Sequence, residues 1–299
     1  LRIASGLSRT EGAVARPMAS WPRGRLAATP SGEADFSMKI LFIGDIVGHG
    51  GRDAVKALAP RLREEYGCGF CIANGENMAG GNGLTKPLVC EFPAGTVDVF
   101  TAGDHTWDQK EFPGQIDRCP NVLRPENLGK EQPGRGYGIF EAADGTRVGV
   151  VNLIGRTFLG VPSDNPFTAA AAAVEQLRAD TPVIIVDFHA EATSEKIAMG
   201  RFLDGRVSAV FGTHTHVATA DTTIFPGGTA FQCDAGMVGS DASVLGREIA
   251  PVVSRFVTGM PTRFPVNDDN VVLHGIVVEV DPATGRALSV ERVERRSGT

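Results

Sequence analysis

Several short stretches of this chain are apolar from end to end, and that limits the fold more than any other feature. Lys39-Ile-Leu-Phe-Ile-Gly44, residues 70–73, residues 148–153 and Pro182-Val-Ile-Ile-Val186 show no alternation with polar residues. A strand with one face in water alternates, so such runs belong to strands covered on both faces. Segments with helical spacing lie between them. After Arg52, the residues Val55, Leu58, Ala59 and Leu62 fall on one face, and this helix stops near Gly67. An alanine-rich helix over residues 169–177 is predicted to be capped by Thr168, and Thr193 or Ser194 starts a short helix towards Leu203. Residues 97–101, 209–211 and 229–233 read as further strands. Val271–Val280 and residues 288–293 read as a terminal hairpin about Asp281-Pro-Ala-Thr-Gly285. With 299 residues and no linker composition, we expect one α/β domain over residues 38–299.

Residues 1–37 differ. Arg2, Arg9, Arg16, Arg23 and Arg25 occur with few acids, a composition like that of a transit peptide. The plainer expectation is a disordered or untranslated extension ahead of a start at Met38, dispensable for stability. A formal net charge of −6 argues against a strongly basic nucleic-acid clamp and for small partners. No apolar run approaches the roughly 20 residues needed to span a bilayer, so no membrane partner is expected. Five cysteines, an odd number, fit a reducing compartment, and we expect a cytoplasmic protein. Cys68-Gly-Phe-Cys71 has redox or zinc spacing, but no second such pair completes a zinc set.

The apolar runs end in groups that bind metals. Asp45 closes the first, Asn74-Gly-Glu76-Asn77 the second, and Gly103-Asp104-His105-Thr-Trp107-Asp108 the third. Asp187-Phe-His189 and Gly212-Thr-His214-Thr-His216 close two later ones. In open α/β sheets ligands sit beyond the carboxyl ends of the strands, so these groups are expected to converge there. In an extended chain residues i and i+2 point the same way, so His214 and His216 would face one spot or two neighbouring ions. Asp45 alone would pass as a helix cap and His189 as a core histidine. A carboxylate such as Glu76 directly after a buried strand is costly without a partner. Acids and imidazoles without thiolates suit Fe or Mn before Zn. Six ligands exceed one tetrahedral ion, whereas two divalent ions about 3.5–4 Å apart with a shared carboxylate would use them all, activate water and clamp a phosphoryl group. The implied chemistry is hydrolysis. The glycines of residues 48–51 lack the Lys-Ser/Thr of a phosphate loop and read as a tight turn beneath a ligand. His49 and His274 read as bystanders, and Arg124, Arg135 and Arg156 as candidates to steer phosphate.

Gly44-Asp45-Ile-Val-Gly, Asn74-Gly-Glu76-Asn77, Gly103-Asp104-His105-Thr-Trp-Asp108, Asp187-Phe-His189-Ala-Glu191, Gly212-Thr-His214-Thr-His216 and Asp234-Ala-Gly-Met237 together resemble the YmdB-like branch of the calcineurin-like metallophosphoesterases. The resemblance spans Met38 to about Glu294. It implies a four-layer αββα sandwich with the metal site at the C-terminal ends of the strands, and phosphodiester hydrolysis with 2′,3′-cyclic nucleotides among the substrates. RNA ends are a further expectation. By motif position Asp45, Glu76 and His216 would hold one ion, and Glu76, Asp104, His189 and His214 the other. Asn77 would sit beside the site, Arg156 would meet substrate, and His105 would protonate the departing ribose oxygen. Homo-oligomers are expected of the family. Where the family has asparagine this chain has Asp104, which keeps an oxygen for metal but adds charge beside the phosphate. A metal- and nucleotide-binding regulatory protein with reduced turnover is therefore the alternative expectation.

Overall fold

The computed structural model describes residues 37–298, so the expectation for the N-terminal extension falls, but for its last residue, outside the described residues. The elements run β1 (Met38–Ile46), α1 (Gly48–Tyr66), β2 (Cys68–Asn74), α2 (Lys86–Cys90), β3 (Val99–Thr101), β4 (Tyr137–Glu141), β5 (Arg147–Ile154), α3 (Pro166–Arg178) and β6 (Ile184–His189). They continue with α4 (Thr193–Phe202), β7 (Ala209–Thr213), β8 (Thr223–Ile224), β9 (Ala230–Gln232), β10 (Met237–Ser240), α5 (Ile249–Thr258), β11 (Val271–Val280) and β12 (Ala287–Arg296).

The strands form two six-stranded sheets, ordered β12-β11-β10-β1-β2-β3 and β4-β5-β6-β7-β9-β8. In the first, β10, β1, β2 and β3 are parallel. In the second, β5, β6, β7 and β9 are parallel. Three apolar layers hold the sandwich. Leu58 and Leu62 of α1 pack with Leu41 and Leu273 on the outer face of the first sheet. Phe42, Ile276, Ile185 and Phe211 fill the space between the sheets, with the Phe42 and Phe211 rings 5.2 Å apart. Val174 and Leu177 of α3 and Met199 of α4 cover Val186 and Phe188 on the outer face of the second. This is the αββα order, and it explains the unbroken apolar runs, because every central strand has a sheet on one side and a helix on the other.

Some boundaries differ from the sequence expectation for physical reasons. The glycines after Val47 are not a turn but the first turn of α1: a Cβ on Gly51 would lie 2.4 Å from the Val238 carbonyl oxygen, so the missing side chain lets α1 sit against β10. Asp268, distant in sequence, accepts from the Gly50 N–H at 2.7 Å and favours the dipole there. Helix α3 is capped by Asn165, which accepts from the Phe167 N–H, while the Thr168 hydroxyl donates to the Asn165 carbonyl. Cys68 and Cys71 lie in β2, buried and unpaired; burial pushes the Cys68 thiol up to about 11 and raises Cys71 further, so neither is a ready thiolate. Among the described residues no helix is long and apolar enough to cross a membrane.

Candidate metal centre

Parallel alignment carries the ends of β1, β2, β3, β6 and β7 to one rim. Asp45 is the penultimate residue of β1, and Glu76 lies two residues past β2, where the Asn74 side chain accepts the Glu76 N–H at 3.0 Å and turns the chain. Asp104 follows β3, and His189 ends β6. Beyond β7 the chain is not extended, contrary to the reasoning from i, i+2 spacing: His214 has φ 105 and His216 φ 65. Such conformations each cost on the order of 1 kcal/mol in a residue with a Cβ and persist only when held. Here the His214 N–H donates to Asp45 Oδ2 at 3.2 Å and the Thr215 N–H to Asp234 Oδ2 at 3.0 Å, with Asp234 paired to buried Lys196 at 2.7 Å. The bent loop sends its two rings to different spots.

One spot gathers donors from Glu76, Asp104, His189 and His214, all within 4.8 Å of one another. His189 Nε2 lies 2.8 Å from Asp104 Oδ1, 3.1 Å from Glu76 Oε1 and 3.0 Å from His214 Nδ1. Beside it, His216 Nε2 faces Asp45 Oδ1 at 3.9 Å and Asn77 Oδ1 at 3.3 Å. A cavity of about 430 Å³ adjoins His216, lined in part by Val217, Met237, Leu245, His274 and Arg292.

Each imidazole spends its outer nitrogen on an oxygen acceptor. His216 Nδ1 donates to the Leu245 carbonyl at 3.2 Å, and His214 Nε2 meets Glu191 Oε2 at 3.2 Å. His189 Nδ1 meets Thr213 Oγ1 at 2.9 Å; because that hydroxyl donates onward to Asp187 Oδ1 at 2.7 Å, it accepts from the ring. All three inner nitrogens are thereby aimed at the carboxylates of Asp45, Glu76 and Asp104. This is how ligating histidines are oriented.

The charge balance points the same way. Burial raises the pKa of Asp45, whose Oδ1 is buried with no hydrogen-bond partner. At His189 burial opposes a charge, but Glu76, Asp104 and Asp45 outweigh it and raise the pKa, so this spot attracts positive charge. At Asp104 burial is likewise outweighed, here by the His189 and His214 hydrogen bonds, which hold its carboxyl far down. His216 is pushed down to about 4, chiefly by burial, and keeps a neutral ring. An orphaned carboxylate oxygen, crowded acids and inward-facing ring nitrogens fit divalent cations.

His105 stands at the edge of the cluster. Its N–H donates to Glu76 Oε2 at 3.1 Å, its Nδ1 lies 2.8 Å from Asp108 Oδ2, and its Nε2 faces Asp104 Oδ2 at 3.6 Å. Asn77 uses its amide nitrogen on the Gly81 carbonyl. Arg156 is exposed just past β5, whose Ile154 pairs with His189, so it shares the rim. Arg124 and Arg135 spend their guanidinium groups on backbone carbonyls, and His49 is exposed beside Asp53. Sequence reasoning missed Thr213, Asp187 and Lys196. Asp187 carried a usable signal, a carboxylate two positions before a histidine on the same strand face.

Two packed sheets that present acids and imidazoles at one rim define a hydrolase of the metallophosphoesterase class. The sequence matches the family described as YmdB-like protein over residues 41–293. It is 46% identical over 256 residues to the 2′,3′-cyclic-nucleotide 2′-phosphodiesterase of Bacillus subtilis (strain 168), covering 86% of this chain and 96% of that one. Among solved structures, a hypothetical protein from Thermus thermophilus superposes with TM-score 0.80 at 37% identity, covering 87% of this chain and 99% of that one. A novel phosphatase from Mycoplasma pneumoniae gives TM-score 0.80 at 33% identity, covering 88% and 95%. The chain belongs to the YmdB-like family.

Proposed function

We propose that this protein is a dinuclear metal-dependent phosphodiesterase acting on small phosphodiesters, 2′,3′-cyclic nucleotides first among them. The observation that carries the reading is the convergence of Glu76, Asp104, His189 and His214 donors within 4.8 Å, beside the orphaned oxygen of Asp45. Asp45, Glu76 and His216 would hold one ion, and Glu76, Asp104, His189 and His214 the other, with Glu76 shared and Fe or Mn preferred over Zn. When bound, such a pair supplies Lewis-acid charge and lowers the pKa of water. The chain's own residues do the rest. A water oxygen bonds to phosphorus, the bond from phosphorus to one ribose oxygen breaks, and that oxygen takes a proton from His105 Nε2. The proton released by the water returns His105 to its starting form through solvent. Asn77 and Arg156 would contact the substrate, and the cavity beside His216 is large enough for the nucleoside.

The relative named as a 2′,3′-cyclic-nucleotide 2′-phosphodiesterase supports the substrate class. Turnover of bis-p-nitrophenyl phosphate or 2′,3′-cyclic AMP with Mn²⁺ tests it, and no turnover with any divalent metal overturns it. Asp104 favours a second reading, in which metal and nucleotide bind but turnover is weak: its carboxylate lies 3.6 Å from the His105 ring. About two metals per chain with tightly held, unhydrolysed nucleotide would select that reading. Self-association is supported by α5, where Phe256 and Val257 are exposed. A cytoplasmic site of action is supported by the free thiols.

A further inference from the structure

The loop after β2 carries Gly80-Gly-Asn-Gly83, and a Cβ on Gly81 would lie 2.4 Å from Arg247 Nη1. Arg247 belongs to the segment between β10 and β11, far away in sequence, and glycine at 81 admits its guanidinium against the loop. Nη2 donates to the Gly81 carbonyl at 2.8 Å and to Asn82 Oδ1 at 2.5 Å, and Nη1 to the Phe264 carbonyl at 3.1 Å. These partners are neutral oxygens, so Arg247 is not placed there to neutralise an acid. A guanidinium can only donate, so it selects the oxygen of the Asn82 amide and fixes which way that amide points.

The Asn82 amide nitrogen then faces Asp108 Oδ2 at 3.3 Å and His105 Nδ1 at 3.1 Å. It too only donates, and Asp108 Oδ2 also lies 2.8 Å from His105 Nδ1. Asp108 Oδ2 can accept from the amide and from a protonated Nδ1 at once, with the amide nitrogen and Nδ1 then in contact without a bond between them. The ring is thereby held with Nε2 turned towards Asp104 and the rim.

We propose that Arg247, acting through Asn82, is a positioning residue that holds the Asp108–His105 pair in the orientation needed to protonate the leaving oxygen. This rests on the phosphodiesterase reading, but its test can fail separately. A ribose alkoxide leaves poorly without a proton, whereas p-nitrophenolate leaves without one. Arg247→Met and Asn82→Ala should therefore each lose at least about tenfold more kcat on 2′,3′-cyclic AMP than on bis-p-nitrophenyl phosphate, since acid catalysis contributes about 10²–10⁴-fold. Arg247→Lys, which keeps a donor for Asn82 Oδ1, should recover part of the difference. Asn82→Ala leaves the Arg247 bonds to Gly81 and Phe264 intact, which guards against simple unfolding. Equal loss on both substrates, or none, overturns the proposal even when the wild-type enzyme turns both over. A readout independent of turnover is the side-chain ¹⁵N spectrum of His105 in zinc-loaded protein. The wild type should show one persistent, hydrogen-bonded Nδ1–H signal and Asn82→Ala a weakened or averaged one; identical spectra overturn the proposal whatever the activity.

Discussion

The two sheets divide the chemistry of the rim. The first contributes carboxylates, Asp45 from β1, Glu76 after β2 and Asp104 after β3; the second contributes imidazoles, His189 from β6 and His214 and His216 after β7. Alone, the acid side would be a row of like charges, and burial already raises the pKa of Asp45. Alone, the imidazole side would be three rings aimed at nothing. They are joined by apolar packing below and by cross-sheet hydrogen bonds above, from the His214 N–H to Asp45 and from the Thr101 hydroxyl to Asp187 at 2.5 Å. The donor set therefore exists only when the sandwich closes, and defects in packing should read out as defects in metal binding.

The sharpest break of this division is between Glu76, the acid proposed to be shared, and His216, an imidazole proposed to serve one ion alone. Glu76→Gln should leave close to no metal per chain and lower turnover by about 10³-fold or more, whereas His216→Ala should keep about one ion. Elemental analysis decides, and equal metal content in the two variants would refute the shared role of Glu76. Next in size is the seam between the sheets. Phe211→Ala should cost about 3–5 kcal/mol of unfolding free energy, since the buried ring meets Phe42 across the interlayer. Chemical denaturation checks this, and metal affinity should fall with stability. A smaller effect is expected from Thr213→Val, which cuts the His189–Thr213–Asp187 relay: metal affinity should drop about 10–100-fold by titration, with the fold retained by circular dichroism.

The same division explains what was legible in the sequence. Unbroken apolar runs announce central strands of a covered sheet, and an acid or histidine at the end of one stands out against them. Asp45, Glu76, Asp104, His189, His214 and His216 could all be named on that ground. The supporting residues could not, because they arrive from elsewhere: Asp268 reaches α1 from 218 positions away, and Arg247 reaches Asn82 from 165. Short edge strands such as β8 carry little periodic signal, and the apolar pattern of α5 does not mark a core, because Ile249, Val253, Phe256 and Val257 are exposed and Val252 is its only buried residue. The bent histidine loop reads as extended from sequence because its positive φ values are imposed by Asp45 and Asp234, which no local pattern reveals.

The gentlest way to sharpen the contrast is to remove one charge from the acid side without removing a ligand atom. Asp104→Asn keeps an oxygen near His189 and His214 but replaces a carboxylate with a neutral amide. An anionic substrate approaching the rim would meet one negative charge fewer, and the His105 ring, whose Nε2 lies 3.6 Å from Asp104 Oδ2, would face a neutral amide where the carboxylate stood. We therefore expect kcat/KM for 2′,3′-cyclic AMP to rise by about threefold to tenfold, roughly 0.7–1.4 kcal/mol, with metal content unchanged. Steady-state kinetics with matched metal loading check it. An unchanged or lower kcat/KM would mean that the extra carboxylate serves the metals more than it hinders the phosphate, and the acid side would then be tuned to this chain's ions rather than burdened by them.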